Sequence, residues 1–120
     1  MENAEYLGIY ARGWTEGNLN ILLQSMADEY VIDDPNAGRI SKANFSSYFT
    51  AFKDQMDPMR DKHRPFMEIG EVLTQEAEGV LTAWAWWSVP GTPIQGSGLI
   101  KVGNKGVLSE RLAFYTKLPE

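Results

Sequence analysis

The chain has no cysteine. That absence excludes a disulfide scaffold, a thiolate metal site and a thiol nucleophile together, and it fits a reducing compartment. Histidine is nearly absent as well, with His63 standing alone. It has no second histidine to share a metal with, and it lies in the charged stretch Arg60-Asp61-Lys62-His63-Arg64 ahead of Pro65, so it reads as a surface residue. Basic residues are scarce and scattered, 11 against 16 acidic ones, for a formal net charge of −5. The 60–64 stretch is the nearest thing to a basic cluster and Asp61 interrupts it, so nucleic acid is not an expected partner. No apolar run approaches the roughly 18–20 residues that a membrane-spanning helix needs. The opening Met1–Glu5 is acidic and lacks the layout of a secretory leader, which makes a cytoplasmic location the expectation.

What is present is aromatic. Four tryptophans, five tyrosines and five phenylalanines, within an apolar fraction of 43%, are ample for a packed core. The 120 residues are one domain's worth, expected to span 1–120 and long enough to bury roughly two-thirds of the unfolded surface. Leu7, Tyr10 and Trp14 recur at helical spacing, which predicts an amphipathic helix over about residues 3–16 with Gly17 as its stop. Asn18 or Asn20 is placed to cap a second helix carrying Leu19, Leu22, Leu23 and Met26 and ending near Ala27.

The period then shortens. Tyr30–Asp34 is β-prone, and Pro35–Gly38 supplies a turn before Arg39 and Ile40. Ser41 is the expected N-cap of a third helix with the aromatic stripe Phe45, Tyr48, Phe49 and Phe52, closed by Asp57-Pro58. Strands are expected near Phe66–Leu73, Val80–Val89, Ile94–Val102 and Val107–Leu118, with turns at Thr74–Gly79, Pro90–Pro93 and Gly103–Gly106. Helices first and a meander of hairpins afterwards is the order of an α+β protein. Within it, Thr82–Val89 is apolar on both faces. A second greasy face needs a cover, and a second copy of the chain is the expected one, a homodimer through the sheet with Trp87 on the exposed tryptophan face; a loop or terminus lying there is the alternative.

Three side chains carry candidate chemistry. Period-2 alternation puts Tyr30, Ile32 and Asp34 on one face of their strand, where an acid among bulky neighbours gains proton affinity and suits a general base. The competing reading is a wet turn residue before Pro35. Glu110 is the one charge on the Leu108, Leu112 and Phe114 face of the last strand, so it is a site acid or half of an ion pair. Tyr10 lies on the apolar stripe of the first helix, where a buried hydroxyl seeks an acceptor or the ring is plain packing. Gly96-Ser97-Gly98 marks a bulge or a close backbone approach, with no helix behind it to make a phosphate loop.

Tyr10 in a first helix, the joint Glu16-Gly17-Asn18-Leu19, the run Asp28–Pro35 and the closing Gly106–Tyr115 together resemble the ketosteroid isomerase and SnoaL-like polyketide cyclase families of the nuclear transport factor 2-like superfamily. The resemblance follows the element order along nearly the whole chain. It implies a cone-shaped α+β fold, with N-terminal helices packed on a curved, mostly antiparallel sheet that encloses an apolar pocket. It also implies proton abstraction next to a carbonyl, with Asp34 as base, Tyr10 in the oxyanion hole and Glu110 assisting from the last strand. Trp14, Tyr30, Ile32, Phe49, Leu112 and Phe114 are the expected walls for a medium-sized apolar ligand. No cofactor motif is visible and proton transfer requires none. Two positions depart from the isomerase pattern. The penultimate strand carries Gly96–Leu99 with no acid, and the supporting tyrosine of the third helix is Phe49, with Tyr48 one position earlier. An Asp–Arg–Asp epoxide-hydrolase arrangement matches less well, because Arg111 points to the other face from Glu110. A non-catalytic binding or dimerisation module of the same fold is the alternative function.

Overall fold

The computed structural model describes residues 1–115. Helix α1, Asn3–Glu16, opens with a reciprocal capping box between Glu2 and Glu5 and closes on Gly17, whose φ of 64° is the left-handed turn a helix C-terminus favours. A side chain at that position would also run into the Phe66 ring. Asn18 then caps α2, Leu19–Ser25, by accepting from the Ile21 amide at 3.2 Å. Helix α3, Lys42–Met56, has Ser41 at its N-cap position, although the serine side chain makes no capping bond.

Six strands form one sheet: β1 Met26–Asp34, β2 Gly38–Ser41, β3 Glu68–Ala77, β4 Val80–Ser88, β5 Gln95–Gly103 and β6 Gly106–Phe114. Their spatial order is β2-β1-β6-β5-β4-β3. Every neighbouring pair is antiparallel except β1 with β6, which run parallel. The curled sheet carries the helices on its concave face, and the two layers share a core that includes Tyr10, Leu22, Tyr30, Ile32, Phe45, Phe49 and Val107. This is the expected α+β cone with a mostly antiparallel sheet.

Several boundaries differ from the sequence expectation. Met26 and Ala27 belong to β1, not to the end of α2. Their apolar side chains suit either element, but the chain turns extended at Met26, with ψ near 135°. Residues 38–41 form a strand that takes in Gly38 from the expected turn and Ser41 at the expected N-cap, because Val31–Asp34 offer them a free edge to pair with. Strand β3 begins at Glu68, two residues after Phe66, and runs to Ala77 rather than Leu73. Its far half is an exposed edge, so Gln75 and Glu76 are at home there and read from sequence as turn. Strand β6 ends at Phe114, and the rest of the expected strand to Leu118 lies outside the described residues.

Strand β4 also corrects one assignment. Trp87 is 7% exposed and points into the concave side with Ala83 and Ala85. Trp84 and Trp86 take the convex face, stacked at 4.7 Å between centroids, with Leu73 and Leu99 opposite Trp84 in the register. Since both faces of this strand are apolar, polarity gave no means of telling them apart. Among the described residues, no helix is long and apolar enough to cross a membrane.

Candidate functional site

A cavity of about 280 Å³ lies between α1, α3 and the concave face of the sheet. Its exposed lining residues Ala4, Gly8 and Val72 put the opening between α1 and β3. Tyr10, Trp14, Phe52, Trp87, Leu112 and Phe114 supply much of the wall, and among the described residues Glu110 is the one carboxylic acid in it. Among the described residues, no lysine, arginine or histidine borders the cavity.

The polar end is a chain of three side chains from three elements. The Tyr10 hydroxyl on α1 donates to Glu110 Oε1 on β6, and the Tyr30 hydroxyl on β1 lies 2.7 Å from that of Tyr10. Tyr10 has one proton, so while Glu110 is ionised Tyr30 must donate to Tyr10. The other carboxylate oxygen, Oε2, lies over the bare Cα of Gly98, where a Cβ would collide with it. Gly98 thus clears room for an acid beside the strand, which is the close approach that the Gly96–Gly98 stretch suggested.

Burial dominates the electrostatics. It raises the Glu110 carboxyl to about 7, and the hydrogen bond from Tyr10 pulls the other way without cancelling it. Burial, with the nearby Glu110 charge second, raises both Tyr10 and Tyr30 well above the ordinary phenol value, so both stay protonated. Burial thus brings the ionisation of Glu110 up toward neutral pH, on a frame of protonated hydroxyls.

Asp34 does not share this cavity. It borders a wider, more open groove of about 810 Å³, together with Asn36, Asn44 and Gln95. Its Oδ1 accepts from the Asn36 and Ala37 amides at 2.7 and 3.1 Å, and its Oδ2 accepts from the Tyr48 hydroxyl at 2.7 Å. The carboxylate both closes the turn after β1 and anchors Tyr48, so the turn reading and the buried reading each describe part of it. Tyr48, Phe52 and Phe114 border both spaces and form the partition between them.

Of the expected wall residues, Trp14, Leu112 and Phe114 line the inner cavity. Tyr30 sits behind Tyr10, while Ile32 and Phe49 are packed in the core. Tyr48, Phe52, Met67 and Trp87 line the cavity without having been expected to. Tyr48 and Phe52 were legible as members of the α3 stripe. Nothing in the sequence pointed Met67 or Trp87 inward. His63 is exposed in the loop before β3, and its amide donates to Asp61.

Comparison of this architecture with solved structures identifies its fold. An NTF2-like protein of Anabaena variabilis superposes with a TM-score of 0.65 over 95% of this chain and 87% of that one, at 13% identity. An NTF-2-like protein of unknown function from Burkholderia xenovorans gives 0.63 over 98% and 85%, at 16% identity. A candidate polyketide cyclase of Sinorhizobium meliloti gives 0.64 over 91% and 94%, at 12% identity. The fold is that of the nuclear transport factor 2-like proteins. No protein-family model matches the sequence, and no curated protein sequence does. At these identities the nuclear transport factor 2-like likeness speaks for the fold and leaves the activity to be argued from the site.

Proposed function

We propose that the protein binds a small, largely apolar molecule in the inner cavity, with its one polar group against Glu110. The observation that carries this reading is the cavity itself, apolar on nearly every side and ending in a single buried acid. Its volume of about 280 Å³ is close to twice the roughly 150 Å³ that accommodates a benzene in an engineered protein cavity, so one or two rings fit.

A second reading adds catalysis, isomerase- or cyclase-like proton transfer next to a carbonyl. A carboxyl raised to about 7 favours it, because a general base works best near ambient pH. The base is then Glu110 in place of Asp34, whose oxygens are already taken by three donors.

One experiment addresses both readings. Ring-sized aromatic probes titrated into the wild type should change the fluorescence of Trp14 and Trp87, and Ala85→Leu, which fills the cavity, should lose the response while keeping its fold. Equal responses from the two proteins would remove the cavity as the binding site. For any probe that is also turned over, Glu110→Gln should stop turnover and retain binding; undiminished turnover would reject Glu110 as base.

The partner proposed for the convex face is a second copy of the chain. Trp84 and Leu99 are 45% and 40% exposed there, side by side across β4 and β5. Trp84→Glu should convert a dimer into a monomer in sedimentation or light scattering. A variant that stays dimeric would move the interface elsewhere.

A further inference from the structure

While Glu110 is ionised, the cavity has an acceptor at its polar end and, among the described residues, no free donor to match it. The Tyr10 proton is committed to Glu110, and the Tyr48 hydroxyl donates to Asp34. The indole N–H groups of Trp14 and Trp87 are unpartnered, but both nitrogens are buried beneath the cavity surface. Glu110 Oε2 is left over Gly98 with no hydrogen-bond partner among the described residues. The cavity that Glu110 borders is lined by the aromatic rings of Tyr10, Trp14, Tyr48, Phe52, Trp87 and Phe114.

A carboxylate in such a place lacks the partner that buried charges require. The faces of aromatic rings attract cations, most strongly where water is excluded. Since Oε1 is already engaged, one oxygen remains, which suits a point-like ammonium better than a planar guanidinium that pairs with both. On the reading that this cavity binds a small molecule, we infer that its ligand class is a protonated amine on a body of one or two apolar rings, with the ammonium against Glu110 Oε2.

The groups that face Glu110 are Tyr10 from α1, Tyr30 from β1 and Tyr48 from α3, all phenols. Ile100 is its partner on β5, and Arg111 and Ser109 belong to the opposite face of β6. Among the described residues, no cationic side chain lines the cavity to compete with the ligand. When Glu110 carries a proton, binding an ammonium releases that proton to solvent, and affinity falls as pH falls below the value of Glu110.

The test compares 2-phenylethylamine with its uncharged isostere 2-phenylethanol by calorimetry on the wild type. The amine should bind more tightly by at least about ten-fold near pH 8, and the preference should shrink near pH 5, where Glu110 is protonated. Glu110→Gln should abolish the preference at both pH values. The pH comparison on the wild type stands alone if that variant does not fold. Equal binding of amine and alcohol near pH 8 would overturn the amine inference and leave the cavity reading intact. Binding of neither would overturn both.

Discussion

Glu110 is 5% exposed, and burial lifts its carboxyl to about 7 in the folded protein, against 4.5 for the ordinary group. Between those values the folded protein holds the proton more tightly than the unfolded chain does. The stability this contributes is complete below about pH 4.5 and is lost as pH rises through about 7, levelling off above. The loss is on the order of 3 kcal/mol across that window. Glu110→Gln keeps an acceptor for Tyr10 and cannot ionise, so urea denaturation should show a decline in the wild type that the variant lacks. Parallel pH profiles would mean that Glu110 is hydrated or paired. Strand alternation placed Glu110 and Asp34, and helical spacing placed Tyr10, on inward faces. Neither periodicity could bring Tyr10 to Glu110, because 100 residues and a parallel strand pairing separate them. Nor could it show that Asp34, at the far end of β1, opens on a different space.

At the scale of elements, the joint between α1 and α2 is the most locally determined part of the chain. Gly17 supplies the left-handed turn, and the Asn18 side chain satisfies a helix-start amide of α2. Asn18→Ala should cost about 1 kcal/mol in thermal or chemical denaturation, since the Ile21 amide then loses its side-chain acceptor. An unchanged midpoint would assign the start of α2 to packing alone. Such local chemistry made the three helices and the β4–β5–β6 turns readable. What escaped was non-local. Strand β2 exists because β1 offers an edge, Met26 is extended because β6 lies beside it, and the outer half of β3 is held by β4. The inward turn of Trp87 was hidden for a related reason, because a strand greasy on both faces has no polarity to read.

At the scale of the whole molecule, the nuclear transport factor 2-like cone assembles an apolar chamber from parts that mean little alone. Helix α1 brings Tyr10, β1 brings Tyr30, β6 brings Glu110, and β5 withdraws to a glycine to admit the carboxylate. The account therefore rests on one physical state, an acid kept from water with a single hydroxyl bond to its charge. An NMR titration of glutamate side-chain carboxyl carbons, with the Glu110 signal assigned by its loss in Glu110→Gln, measures that state directly. The account predicts a midpoint near the value of about 7 that burial imposes, well separated from the other glutamates. A Glu110 midpoint at the ordinary 4.5 would contradict it, because the carboxylate would then be as well solvated as one on the surface.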